Sequence, residues 1–180
     1  MSGKELYNLG MTEYDKGNFK EAVPHLENAL KKGFQRAGGI LCTLYTSNDF
    51  GLKLNPEKFK EKMQSYVKES GNVFAKIYLG IDYITEGGSQ AENLGIDLVK
   101  SAVEEAEIAS KASEDENFLD FNLLGPVYAQ IGATFMDLSQ RRPEAKDVAR
   151  KCFDQGIKYA DQHGIEQLRN ILTMMKQMSG

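Results

Sequence analysis

Proton or group transfer near neutral pH calls for a histidine, an activated cysteine, a pair of carboxylates in a dry site, or a loop that cradles phosphate. The two histidines, His25 and His163, have no neighbour at metal-ligand spacing. The two cysteines, Cys42 and Cys152, lie far apart and outside any metal-binding pattern. They read as small buried hydrophobes in a reducing compartment rather than as a disulfide. Gly87-Gly88-Ser89 resembles a phosphate turn only superficially, because no lysine follows and no strand precedes it. It reads instead as the corner between two helices. The carboxylates Glu104, Glu105, Glu107, Glu114, Asp115 and Glu116 are spread along a solvated face or loop. The basic group Arg141, Arg142, Lys146, Arg150 and Lys151 reads as a solvated face, or as a rim that steers an acidic partner. No catalytic residue, cofactor or metal site is assigned, and the chain is expected not to be an enzyme.

Composition narrows the partners. The chain has 180 residues and a net charge of −4, so it lacks the basic balance that nucleic acid demands. The opening residues, MSGKELY, hold no apolar stretch of the secretory kind, and no apolar run approaches the roughly 20 residues of a membrane span. Cytoplasm, with no membrane partner, is the expectation. Strand-like alternation is missing over any length, which points to an all-α protein.

The elements follow from periodicity. Leu9 to Leu30 reads LGMTEYDKGNFKEAVPHLENAL, with Gly17-Asn18 dividing it. Leu6, Leu9, Gly10 and Tyr14 share one helical face before the break, and Ala22, Leu26, Ala29 and Leu30 share one after it. Gly17 is placed to end the first helix, and Asn18 with Glu21 to cap the second. Gly10 and Ala22 allow the two backbones to approach closely. Pro24 removes one hydrogen bond, predicting a bend or late start but not a break.

The matched residues Leu9, Gly10, Tyr14, Gly17, Phe19, Ala22, Leu26 and Ala29 resemble the tetratricopeptide repeat (TPR). Leu6 stands where that repeat usually has an aromatic, and Pro24 is not typical of it. Ala75 to Gly88 resembles the related Sel1-like repeat, whose loop is longer. The small position recurs at Gly10, Cys42, Gly80 and Gly132, with lengthening intervals, as in stacked helix pairs. The resemblance implies a right-handed superhelical stack of antiparallel helix pairs, a TPR/Sel1-like α-solenoid spanning 1–180 as one domain. The pairs are expected over 3–33, 35–70, 73–112 and 125–164. Asn55 and Pro56 open the helix in the second pair, Ser89 with Glu92 caps one in the third, and Pro143 starts one in the fourth. A linker helix over 114–124 is expected to stop at Gly125-Pro126. A capping helix over 165–178 turns Leu168, Ile171, Leu172 and Met175 inward. Met174, Met175 and Met178 serve either that cap or a deformable binding edge.

In such stacks the first helix of each pair lines the concave side. The register then presents Tyr7, Met11 and Tyr14, then Phe74, Ile77, Ile81 and Ile84, then Met136. So many large apolar side chains suggest a groove for an extended peptide or amphipathic helix of a protein partner. Two other readings compete. Curvature, the segment 115–124 or the last helix can fill the stripe as core. A structural subunit can instead bury the same stripe in a homo-oligomer such as a homodimer. Some TPR domains hold a C-terminal carboxylate with Lys and Asn beside the small glycine. Those places are Tyr7 and Met11 here, so that activity is not expected.

Overall fold

The computed structural model describes the backbone of residues 1–111 and 121–180; side chains are described outside 110–124. The described residues form nine helices and no strand. They are α1 (Gly3–Asp15), α2 (Phe19–Lys31), α3 (Arg36–Thr46), α4 (Pro56–Ser70), α5 (Val73–Glu86), α6 (Ser89–Lys111), α7 (Phe121–Leu138), α8 (Ala145–Gln162) and α9 (Glu166–Met178). The all-α expectation therefore holds. The chain divides into two compact units, Met1–Tyr83 with Asn93–Leu119, and Ile84–Glu92 with Asp120–Gly180.

In the first unit, Ser2 and Glu5 form a reciprocal capping box that starts α1. Gly17, at φ +80°, turns the chain back so that α2 packs on α1. Asn18 does not cap α2 with its side chain. Its ψ of 61° is not the extended value a capping residue uses, and its amide donates to Glu13 Oε2 at 2.8 Å instead. The α2 helix runs unbroken through Pro24, its sixth residue. Only the bond to the carbonyl of Lys20 is lost there, which packing of Ala22, Leu26, Ala29 and Leu30 offsets.

Asn55 caps α4 by accepting from the Lys58 amide at 2.9 Å, with Pro56 first in the helix. Gly71, at φ +60°, ends α4, and Asn72 caps α5 by accepting from the Ala75 amide at 3.0 Å. Asn72 is wholly buried. Its Nδ2 donates to the Gln35 backbone carbonyl at 2.8 Å and to Gln35 Oε1 at 3.0 Å, while Gln35 Nε2 donates to the Ser70 carbonyl at 3.2 Å. One buried amide thus ties the start of α3 to the α4–α5 corner. Gly38 is the place of closest packing in α3, because a Cβ there would overlap the Asn72 side chain. Both thiols are buried and reduced, and Cys42 Sγ lies 3.5 Å from Met63 Sδ.

Gly87 and Gly88 form the corner after α5, both at positive φ. Ser89 is the first helical residue of α6 rather than its cap, and the Glu92 amide bonds the Gly88 carbonyl at 2.9 Å. The Glu92 carboxylate is engaged elsewhere, as described below.

In the second unit, α7 continues through Gly125 and Pro126, where a boundary was expected. Pro126 is again the sixth residue, so one turn precedes it and one hydrogen bond is forfeited. Most of the expected linker helix 114–124, and the segment proposed to fill the stripe, lie outside the described residues. Pro143 does not begin α8 but sits in the tight turn before it, where the Lys146 amide bonds its carbonyl at 3.2 Å. Gly164 (φ +65°) ends the α8 turn. On α9, Leu168 lies over Gly125 and Leu172 over Gly156, so these two side chains point inward. Ile171, expected inward as well, is 42% exposed because it lies about 100° round the helix from Leu172.

Candidate functional site

The eight residues of the predicted stripe divide evenly between interior and partly exposed positions. Tyr7, Phe74, Ile77 and Ile84 are buried within the chain. Tyr7 stacks at a tilt on Phe34, centroids 4.9 Å apart, with the Arg36 guanidinium 5.6 Å from its ring. Met11, Tyr14, Ile81 and Met136 are half-buried and retain surface. The residues 74, 77, 81 and 84 share a face of α5 as the periodicity requires. Periodicity alone does not say which part of that face the protein itself covers.

The first unit adds an aromatic neighbour that no repeat pattern signals. Phe50, from the loop after α3, meets Phe19 edge-on at 4.8 Å and Tyr14 at 5.8 Å. Tyr14 also meets Phe19 edge-on at 5.3 Å. Burial, and next the Asp15 carboxylate, push the Tyr14 phenol above its ordinary value. These three rings make a rigid half-exposed patch on the face of α1 that carries Met11.

Two ionic clusters hold helices together. Glu27 of α2 accepts at one oxygen from Lys62 at 2.7 Å, Tyr66 at 2.8 Å and Tyr45 at 3.3 Å. Burial works to raise the Glu27 pKa, but the bonds from Lys62, Tyr66 and Tyr45 more than offset it and leave it lowered. Burial drives the Tyr66 phenol far up and the Tyr45 phenol up to about 12. The carboxylate therefore stays charged and the phenols stay protonated, so none of them is poised to exchange a proton at neutral pH. The adjoining cleft, lined by Glu27, Leu30, Lys31, Tyr66, Glu69 and Ser70, has a volume of about 10 Å³, enough for about one water.

Because folding lowers the Glu27 pKa, its stabilising effect is present above the ordinary carboxylate value of 4.5 and disappears as pH falls through the folded value. Glu27→Gln should melt below the wild type at neutral pH. The gap should close as the solution is acidified below 4.5, as read by thermal melts across pH.

In the second unit, Glu92 is almost wholly buried and accepts from Arg141 Nε at 2.6 Å, while Arg142 Nε lies 3.0 Å from its other oxygen. Arg141 also donates to the Ile84 carbonyl at 3.3 Å. Lys146 donates to the Gly180 carbonyl at 2.9 Å and Arg150 to that of Ser179 at 3.0 Å. Four of the five basic residues thus hold partners within the protein: Arg141 and Arg142 share the Glu92 carboxylate, whereas Lys146 and Arg150 bond backbone carbonyls. The partners are 29 to 57 positions apart, beyond what local spacing signals.

Among the described residues of the second unit, the exposed large apolar side chains are Ile171, Met174 and Met178, all on α9. Met174 is 56% and Met178 79% exposed, so neither caps a core; Leu172 does. No helix among the described residues is long and apolar enough to cross a membrane. Compared with protein-family models, with curated proteins and with solved structures, the chain matches none.

Proposed function

We propose that this chain is a non-catalytic protein-interaction scaffold, a right-handed stack of antiparallel helix pairs of the TPR/Sel1 kind that binds a peptide or amphipathic helix. The supporting observation is one steric device used three times. A Cβ on Gly10 would lie 2.8 Å from Leu26 Cγ, and one on Gly80 would lie 2.7 Å from Val99 Cγ2. One on Gly132 would overlap the Phe153 ring. In each case the glycine of a first helix admits the second helix at the same register.

With Tyr7, Phe74, Ile77 and Ile84 covered, the residues left to meet a partner are Met11, Tyr14 and Ile81 in the first unit and, taken by itself, Met136 in the second. A homo-oligomer that buries the same stripe is the second reading, and the half already covered within one chain narrows it to the same residues. Selection from a random-peptide library tests the proposal. Enriched sequences should share large apolar anchors, and Ile81→Asp or Met11→Asp should abolish their binding while far-UV circular dichroism stays unchanged. No enrichment, or undiminished binding by both variants, would refute it. If Ile81→Asp unfolds the protein, that position is core.

A further inference from the structure

We infer that α9 fills, within its own chain, a groove on α7 and α8 shaped for an amphipathic helix, and that it undocks as a unit to open that groove to a helix of the same pattern from another molecule. The groove floor has two sockets. One is at Gly125 of α7, where a Cβ would overlap Leu168. The other is at Gly156 of α8, where a Cβ would lie 2.8 Å from Leu172 Cδ1 and 3.3 Å from Tyr128 Cβ. Glycine inside a helix is less stable than alanine, and at both places it lets a leucine of α9 approach the backbone. The two leucines stand four residues apart, on one face of α9. Charge fixes the register. Asp154 and Asp161 lie seven apart along α8, as Arg169 and Lys176 do along α9. Lys176 bonds Asp154 at 2.5 Å and Arg169 pairs with Asp161 at 3.8 Å. The groove thus selects a helix with aliphatic side chains at i and i+4 and cations at i+1 and i+8.

The helix that occupies the groove is lightly held. Leu172 alone among the residues of α9 is buried, whereas α8 buries Ala149, Cys152, Phe153, Tyr159 and Ala160. The side chains of both ion pairs are about half exposed, and pairs of that kind add little. Beyond the helix, Ser179 is buried, and Arg150 and Lys146 donate to the Ser179 and Gly180 carbonyls at 3.0 and 2.9 Å. One buried leucine and these ties must offset the entropy of ordering the whole helix. The corner before α9 is exposed at His163 and Gly164, and Gly164 takes φ +65°, which makes it the pivot. Few buried apolar contacts beside an exposed hinge mark an element that opens before the rest of its unit. Opening leaves α7 and α8 packed on each other where Gly132 meets Phe153. This inference does not rest on the scaffold reading.

Two measurements on the full chain test it. In native-state hydrogen exchange the amides of α9 should exchange together, and at least about tenfold faster than those of Cys152 and Phe153. A fluorescent peptide spanning Ile165–Gly180 should bind the wild type weakly, because the tethered helix competes at high effective concentration. Leu172→Ala in the protein loosens its own α9 and should tighten capture of the unaltered peptide at least about tenfold. Leu172→Asp placed in the peptide should abolish capture. The same position thus acts with opposite sign in protein and peptide, which a residue serving only the core would not do. Exchange of α9 at the rate of α8 would overturn the inference. So would loss of helicity throughout the Leu172→Ala protein, or capture of the peptide no better than by the wild type. Equal capture of the Leu172→Asp peptide would overturn the groove as its site.

Discussion

Replacing Gly80 with leucine should destabilise the protein by about 1–3 kcal/mol, through overpacking of the α5–α6 crossing. For a chain of this size that is a drop of about 2–4 °C in melting temperature per kcal/mol. The geometry makes the sign firm. A Cβ at Gly80 would sit 2.7 Å from Val99 Cγ2 and 2.8 Å from the Gly95 carbonyl oxygen, and that second contact is backbone, which cannot swing away. Gly80→Ala sharpens the test. In an open helical position alanine would gain about 1 kcal/mol over glycine. Here the added methyl meets the neighbouring helix at once, so alanine should also destabilise. A melting temperature that rises in Gly80→Ala, or stays put in Gly80→Leu, would remove the close crossing on which the paired-helix reading depends.

Asn72→Ala should cost about 2–4 kcal/mol, combining a lost helix cap with buried acceptors left without their donor. The Ala75 amide loses its acceptor, and the carbonyl and side-chain oxygen of half-buried Gln35 lose the donor that wholly buried Asn72 supplies. Asn72→Asp separates the two roles. Aspartate caps helices as well as asparagine does, so a residue that only capped would tolerate it. Aspartate cannot donate to Gln35, however, and brings a charge against a carbonyl oxygen in a buried site. We expect it to destabilise about as much as alanine. Chemical denaturation of the two variants beside the wild type reads the difference; an aspartate variant as stable as wild type would reduce Asn72 to a simple cap.

What the sequence discloses here is governed by range. Gly17, Gly87, Gly88 and Gly164 mark corners because a positive φ is a local demand, and each holds one. Asn55-Pro56 opens α4 for the same reason. The cap expected at Asn18 fails locally, because its ψ is not extended and its amide goes to Glu13, whereas at Ser89 the expected reciprocal partner, Glu92, is held by Arg141 and Arg142 from far along the chain. Gly125-Pro126 looks like a boundary, yet α7 passes through it. Among the apolar residues, spacing groups Phe74, Ile77, Ile81 and Ile84 on one face but cannot separate covered Ile77 from half-exposed Ile81. That depends on helices far along the chain, as do the meeting of Glu27 with Lys62 and of Phe50 with Phe19.

Pro24 gives α2 an uneven grip on its own first turn. The missing donor leaves the Lys20 carbonyl unbonded by the helix, so the residues before Pro24 are joined to the rest by fewer links than a continuous helix would have. Amide protons of Ala22 and Val23 should therefore trade with deuterium through local fraying, while those from Leu26 onward wait for a wider opening of the unit. The α1–α2 corner can breathe without the body of the helix letting go.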